Sequence, residues 1–227
     1  LLHAAARSGT RLVDVRNPPG AIPVGSGRKR TGLRVLTVGT DCALGKKYTA
    51  LALTRALQSK GVAATFRATG QTGIMIAGSG IPMDALVADF LAGGGEALSP
   101  DNDPAHWDVI EGQGSLLHPA YAAVTLGLLH GSQPDAIVLC HAPERVTIEE
   151  YPDYPIPPLP QVIDEYLRAG RLTNRNVRCV GISINSSILD DDGWRRYRAQ
   201  IECQLQLPIC DPMRGGVDAI AKALLAG

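Results

Sequence analysis

The sequence predicts an α/β fold, a mostly parallel sheet with helices on both faces, and three observations carry that expectation. Short β-branched runs alternate with longer helical patterns along the chain, the mark of βαβ crossovers. The runs are nearly continuous in apolar residues, as in Ala136-Ile137-Val138-Leu139-Cys140, which fits strands covered on both faces. The run from Leu33 to Val38 passes directly into a glycine-bounded turn, Gly39 to Gly45, and then into an amphipathic helical pattern.

Taken in order, residues 1–32 read as a linker with the remnant of an upstream domain, in which Arg11-Leu12-Val13-Asp14-Val15 forms one short strand. The main domain spans 33–227, with strands expected at Arg34–Val38, Ala63–Arg67, Asp108–Glu111, Ala136–Cys140, Val177–Asn185 and Pro208–Cys210. Lys46–Lys60 places Ala50, Leu53 and Leu57 on one helical face and is closed by Gly61. Similar stripes predict helices over Met83–Leu91 and Pro160–Ala169, and another helix should follow His118. Ala142–Pro160 carries six prolines with Tyr151 and Tyr154 between them, so it reads as an ordered surface loop, either a connector or a lid beside the strand end at Cys140.

Composition narrows the function classes. Lys plus Arg and Asp plus Glu stand at 22 each, and the basic residues form no long run or aromatic-spaced stripe, which argues against a nucleic-acid partner and leaves a small-molecule ligand. Five widely spaced cysteines without a C-x-x-C pair argue against a disulfide framework and for a reducing, cytoplasmic compartment. No apolar run approaches the roughly 20 residues of a membrane helix. Exposed apolar helices would suit a homo-oligomer.

The turn Gly39-Thr40-Asp41-Cys42-Ala43-Leu44-Gly45-Lys46-Lys47, running on into Tyr48 and Thr49, is the strongest local signal. Its glycines let successive backbone N–H groups converge, the helix start adds positive potential, and Lys46 supplies a full charge, which together make a phosphate cradle of the P-loop NTPase-like kind. The glycine spacing is one residue longer than the common motif, and Lys47 stands where a Ser or Thr would ligate magnesium. Thr49 reaching back is one substitute for that anchor; Lys47 neutralising phosphate charge without a metal is the other, and it favours a carrier nucleotide over ATP hydrolysis.

The loop resembles that of the dethiobiotin synthetase family, as does Glu111-Gly112-Gln113-Gly114-Ser115 at a strand end. A broader set, namely the loop together with Thr69-Gly70-Gln71-Thr72-Gly73, Glu111 to Ser115, His141, Tyr154-Pro155-Ile156-Pro157 and Gly181-Ile182-Ser183-Ile184-Asn185, resembles the DUF1611 family from about residue 10 onward. That resemblance implies an N-terminal Rossmann-like domain, of which residues 1–32 hold a remnant, followed by a P-loop-type domain. It further implies transfer of an acetyl group from acetyl-CoA to the amine of a D-amino acid such as D-glutamate.

Such a transfer needs a neutral amine, hence a carboxylate or imidazole within hydrogen-bond reach. Glu111, at a strand's carboxyl end, and His118, seven residues on, are the catalytic candidates. Backbone N–H groups from Gly112 to Ser115 are candidate oxyanion donors. Arg67, Thr69, Gln71, Thr72, His141 and Arg145 are candidate substrate contacts, the arginines because a guanidinium fork matches a carboxylate. Cys42 sits near a helix start, where a thiol pKa can fall, though packing is the simpler role. Two other readings stay open: an ATP- and magnesium-dependent ligase or kinase with Asp41 and Glu111 as metal ligands, and a non-catalytic nucleotide sensor.

Overall fold

The computed structural model of the protein describes residues 1–18 and 20–226. In chain order the elements are α1 (Leu2–Ser8), β1 (Leu33–Gly39), α2 (Lys46–Ser59), β2 (Ala64–Arg67), α3 (Gln71–Ala77), α4 (Leu91–Leu98), β3 (Trp107–Ile110), α5 (Ala122–Ser132), β4 (Ala136–His141), β5 (Thr147–Ile148), β6 (Tyr151–Pro155), α6 (Leu159–Arg171), β7 (Arg178–Ile184), α7 (Asp191–Leu205), β8 (Ile209–Cys210) and α8 (Asp218–Leu225). The six strands expected in the main domain all form, and they join one parallel sheet in the order β2-β3-β1-β4-β7-β8. The crossover after β1 leads to β2 on one side and that after its neighbour β4 leads to β7 on the other, so the loop after β1 opens where the strand order reverses, the usual ligand crevice of such sheets.

The sheet has two hydrophobic faces because successive side chains of a strand point to opposite sides. On β1, Leu36 and Val38 join a core with Leu128 and Leu129 of α5 and Val162 and Tyr166 of α6. Val35 joins the opposite core, with Ala50, Leu53 and Leu57 of α2 and Ile220 and Leu224 of α8. The stripe read on Lys46–Lys60 is therefore the buried face of α2.

The structure corrects the sequence reading in three places. Residues 11–15 form no strand, and Leu12 and Val13 are exposed, since an extended segment without a neighbour leaves its backbone groups unpaired. The stretch read as a helix over Met83–Leu91 is two 3-10 turns, Met83–Ala85 and Ala88–Phe90, leading into α4. Three glycines, Gly93 to Gly95, disguise α4 in the sequence because glycine is a poor helix former. They permit close packing instead: a Cβ at Gly93 would lie 1.7 Å from the Pro23 carbonyl oxygen. The proline-rich loop contains an antiparallel hairpin, β5–β6, outside the main sheet, and its last residues already belong to α6. Pro160 fits in the first turn of α6, where an amide N–H has no helical partner to lose.

Below the sheet, at the amino ends of its strands, Arg30 donates to the carbonyls of Ser99 and Gly131, both at 2.7 Å, and so fastens the segment before β1 to α4 and α5. Arg34 is fully buried, its guanidinium donating to backbone carbonyls that include those of Arg30, Gly32 and Thr31. All five cysteines are free. Among the described residues no helix is long and apolar enough to cross a membrane.

Candidate functional site

β1 delivers the loop 40–45 to the carboxyl edge of the sheet, and the Thr40 N–H bonds the Cys140 carbonyl to seat it beside β4. The buried Lys46 Nζ donates to the Asp41 carbonyl at 2.7 Å, bracing the far end of the loop against its start. Burial pulls the ammonium's pKa down, so an anion arriving at the loop restores what desolvation takes away. Leu44 turns inward onto Cys140 and Ala142. Ala43 adopts φ +54°, a left-handed conformation unusual outside glycine. Lys47 is half-buried, its ammonium 5.0 Å from the exposed ring of Tyr48.

Two residues expected as metal anchors have protein partners in this geometry. Thr49 reaches back only to the end of the loop, its hydroxyl donating to the Gly45 carbonyl at 3.0 Å and meeting the Ser183 hydroxyl at 2.7 Å. Asp41, fully buried, has both oxygens engaged, one by the Cys42 N–H at 2.6 Å, the other by Arg145 Nη1 and the Glu149 N–H at 2.8 Å each. Arg145, expected as a carboxylate fork for substrate, is thus already a partner of Asp41, with Glu149 at 3.1 Å as its second acid. These contacts tie the proline-rich hairpin to the phosphate loop. Cys42 is not activated, because burial pushes its thiol pKa up.

Glu111 follows β3 and sits beside the loop, 4 % exposed. One of its carboxylate oxygens accepts from the N–H groups of Thr69 at 2.9 Å and Gly70 at 3.2 Å, while the Thr69 hydroxyl donates to the Glu111 carbonyl at 2.6 Å. Burial raises its pKa against the pull of those donors and of Lys47 and Lys46. Gly73 and Gly112 make room for this arrangement. A Cβ on Gly73 would lie 2.1 Å from Glu111 Oε2, and one on Gly112 would lie 1.7 Å from the Thr37 carbonyl oxygen. The Gly112 N–H is already bonded to Thr37 Oγ1 at 2.9 Å, which removes it from the expected oxyanion donors.

His118 is buried at the loop as well, stacked with Tyr121 at 4.4 Å and edge-on to Tyr151 of the hairpin at 5.1 Å. Its Nδ1 accepts from the N–H groups of Ala120 and Tyr121, which places the ring proton of the neutral form on Nε2. A His118 ring nitrogen, the Cys42 sulfur and an Asp41 carboxylate oxygen lie within 4.8 Å of one another. His141 Nδ1 meets the Thr40 hydroxyl at 2.9 Å, and burial lowers its pKa to about 4, so it is neutral and holds the loop. Arg67 is turned into an ion pair with Asp108 at 2.8 Å, away from the loop.

Sequence reading missed Tyr166. It lies in the apolar stripe of α6 and looks like core, yet its buried hydroxyl donates to the Gly39 carbonyl at 2.7 Å and accepts from the Leu116 N–H at 3.1 Å. It thereby joins the start of the phosphate loop to the segment after Glu111. Only the tertiary contact reveals this.

Three hollows meet at the loop. One of about 280 Å³ lies over the loop itself, walled by Cys42, Lys46, Lys47 and the stretch Glu111–Gly114. A second, of about 310 Å³, lies on the other flank, between Tyr48 and the ends of β7 and β8 at Asn185, Asp211 and Met213. The third, of about 380 Å³, is polar and opens beyond Lys47 and Glu111 toward Gln71 and Thr72 at the start of α3.

A parallel sheet with a glycine-bounded, lysine-capped loop at its central strand defines a P-loop-type domain. The chain belongs to the DUF1611 family: the family model described as "Domain of unknown function (DUF1611_C) P-loop domain" matches residues 23–221. It is 47 % identical over 226 residues to a protein of Tritonibacter scottomollicae named D-glutamate N-acetyltransferase, covering 100 % of this chain and 68 % of that protein. A protein of the same name from Pseudoalteromonas sp is 46 % identical, with 99 % and 68 % covered. The crystal structure of a DUF1611 family protein from Anabaena variabilis superposes with a TM-score of 0.92 at 39 % identity over 100 % of this chain and 67 % of that one. Cobyrinic acid a,c-diamide synthase from Mycobacterium smegmatis, solved with ADP and magnesium, shares the fold alone, with a TM-score of 0.51 at 15 % identity over 86 % of this chain and 93 % of that one.

Proposed function

We propose that this protein is an N-acetyltransferase that moves the acetyl group of acetyl-CoA to the amine of a D-amino acid, D-glutamate in the first instance. The observation that carries the reading is the 47 % identity over the whole chain to a D-glutamate N-acetyltransferase. The site has chemistry suited to it. The loop and Lys46 form a cradle for the phosphates of the CoA moiety, and the flanking hollow beside Tyr48 and Asn185 has the place and lining for its adenosine. No metal ligand is needed in this reading, in keeping with Lys47 after Lys46 and with Asp41 and Thr49 engaged elsewhere.

In the reaction the amine nitrogen bonds to the acetyl carbonyl carbon and the carbon–sulfur bond breaks, releasing CoA thiol. The acceptor enters as an ammonium ion, so one proton must leave before attack, and a second passes from nitrogen to the departing sulfur. Glu111 is the group for the first proton: buried, with a raised pKa, it is a stronger base than an ordinary carboxylate. His118 lies near the loop, where its Nε2–H can hydrogen-bond the departing sulfur while that sulfur takes the proton from nitrogen.

The test is direct. Purified full-length protein should release CoA thiol from acetyl-CoA in the presence of D-glutamate, without added magnesium, and Glu111→Gln should lower kcat by about 10²–10⁴. Absence of thiol release with every D-amino acid tried sinks the reading. ATP turnover that requires magnesium would replace it with the ligase alternative.

A further inference from the structure

The polar hollow beyond Glu111 has no part in gripping phosphates, yet it shares a wall with the hollow that does. Lys47, Glu111 and Gln113 line both. The rest of the polar hollow is Gly70, Gln71, Thr72 and Asp84. Gln113 is fixed there by a bond from its amide to the Thr69 hydroxyl at 3.0 Å. At the mouth, Arg16 from the segment before β1 pairs with Asp84 at 3.2 Å, and both side chains are part-exposed. Two cations, Lys47 and Arg16, thus stand around two carboxylates, Glu111 and Asp84.

From this arrangement we infer that the polar hollow is the acceptor subsite, in which Asp84 holds the ammonium group of a dicarboxylic amino acid, Lys47 one of its carboxylates and Arg16 the other. The inference rests on the acetyltransferase reading and specifies where its second substrate sits. The charges match: a ligand with one ammonium and two carboxylates uses Asp84, Lys47 and Arg16, and Glu111 remains to accept the proton. The shared wall sets the amine against the phosphate-loop hollow, where the acyl donor lies in that reading. Gln71 and Thr72 add amide and hydroxyl groups that can bond either carboxylate. An amino acid with one carboxylate would satisfy Lys47 and leave Arg16 with Asp84.

Calorimetric titration of the full-length protein, saturated with CoA, tests this with D-glutamate and D-alanine as ligands. Asp84→Asn is expected to weaken both about tenfold or more, and Arg16→Gln to weaken D-glutamate about tenfold while leaving D-alanine within about twofold. CoA affinity should stay within about twofold in both variants, which also reports that they are folded. The assignment is overturned if Asp84→Asn binds both amino acids as before, if Arg16→Gln affects both equally, if CoA binding falls in parallel, or if the unmodified protein binds neither ligand. Amino acid binding with these selectivities but without acetyl transfer would keep the subsite and refute the proposed reaction.

Discussion

At the scale of single residues, His141 shows how burial changes what a side chain can do. The sequence makes it a plausible contact for substrate, whereas the structure surrounds it so that its pKa drops from 6.5 to about 4 and its Nδ1 faces Thr40. The sign of the linkage follows. Between those two values the unfolded chain binds a proton that the folded chain refuses, so this group's contribution to stability falls as pH falls from 6.5 toward 4, by on the order of 3 kcal/mol. Urea unfolding across that interval should show a shallower loss for His141→Gln, whose amide can still meet the Thr40 hydroxyl, than for the unmodified protein. Parallel curves would mean that the imidazole titrates normally. Glu111 has the opposite linkage: its raised pKa means that ionising it disfavours the fold as pH rises through the folded-state value. Glu111→Gln should therefore be at least as stable as the parent at pH 8, separating its loss of activity from misfolding.

At the scale of elements, the site is a junction of three segments that the sequence presents separately. Tyr166 of α6 bonds both Gly39 and Leu116, so Tyr166→Phe leaves a buried carbonyl and a half-buried N–H without their partner. A loss of about 1–3 kcal/mol is expected by chemical denaturation, with weaker CoA binding because the loop start is released. The hairpin is held by Arg145 and the Glu149 N–H on Asp41. Arg145→Ala strands a fully buried carboxylate, although Arg145 itself is part-exposed. We expect a cost of about 3 kcal/mol, the low end for breaking a buried pair, and faster limited proteolysis between β5 and β6. Unchanged proteolysis would show that the hairpin is held by its aromatic contacts with His118 instead. Proline density correctly signals a surface segment, but it hides the hairpin, because β pairing outside the main sheet tolerates residues that lack an N–H.

At the scale of the whole molecule, the segment before β1 is part of the packed structure rather than a free linker. Arg30 binds carbonyls on two helices, and Pro23 lies against Gly93. Arg30→Ala should cost about 1–3 kcal/mol and expose residues 21–32 to protease under native conditions, which mass spectrometry of the cleavage products would locate. Continued protection would assign the docking to Pro23 and Gly93.

The sequence by itself determined the sheet and the phosphate loop, since alternating apolar strands, the α2 stripe and the Gly39–Lys46 turn are local patterns whose physics needs no distant partner. It also placed Glu111 and His118 beside the phosphate loop at the carboxyl edge of the sheet, because strand ends in a parallel sheet converge there. Tertiary structure alone decided which charges are available. Asp41 and Arg145 satisfy each other across 104 positions, Arg67 pairs with Asp108, Thr49 with Ser183, and Tyr166 turns from core residue to clamp. Whether a polar group is a ligand or a strut depends on what lies opposite it in space. In an α/β sheet those neighbours come from crossovers many residues away, beyond any local pattern.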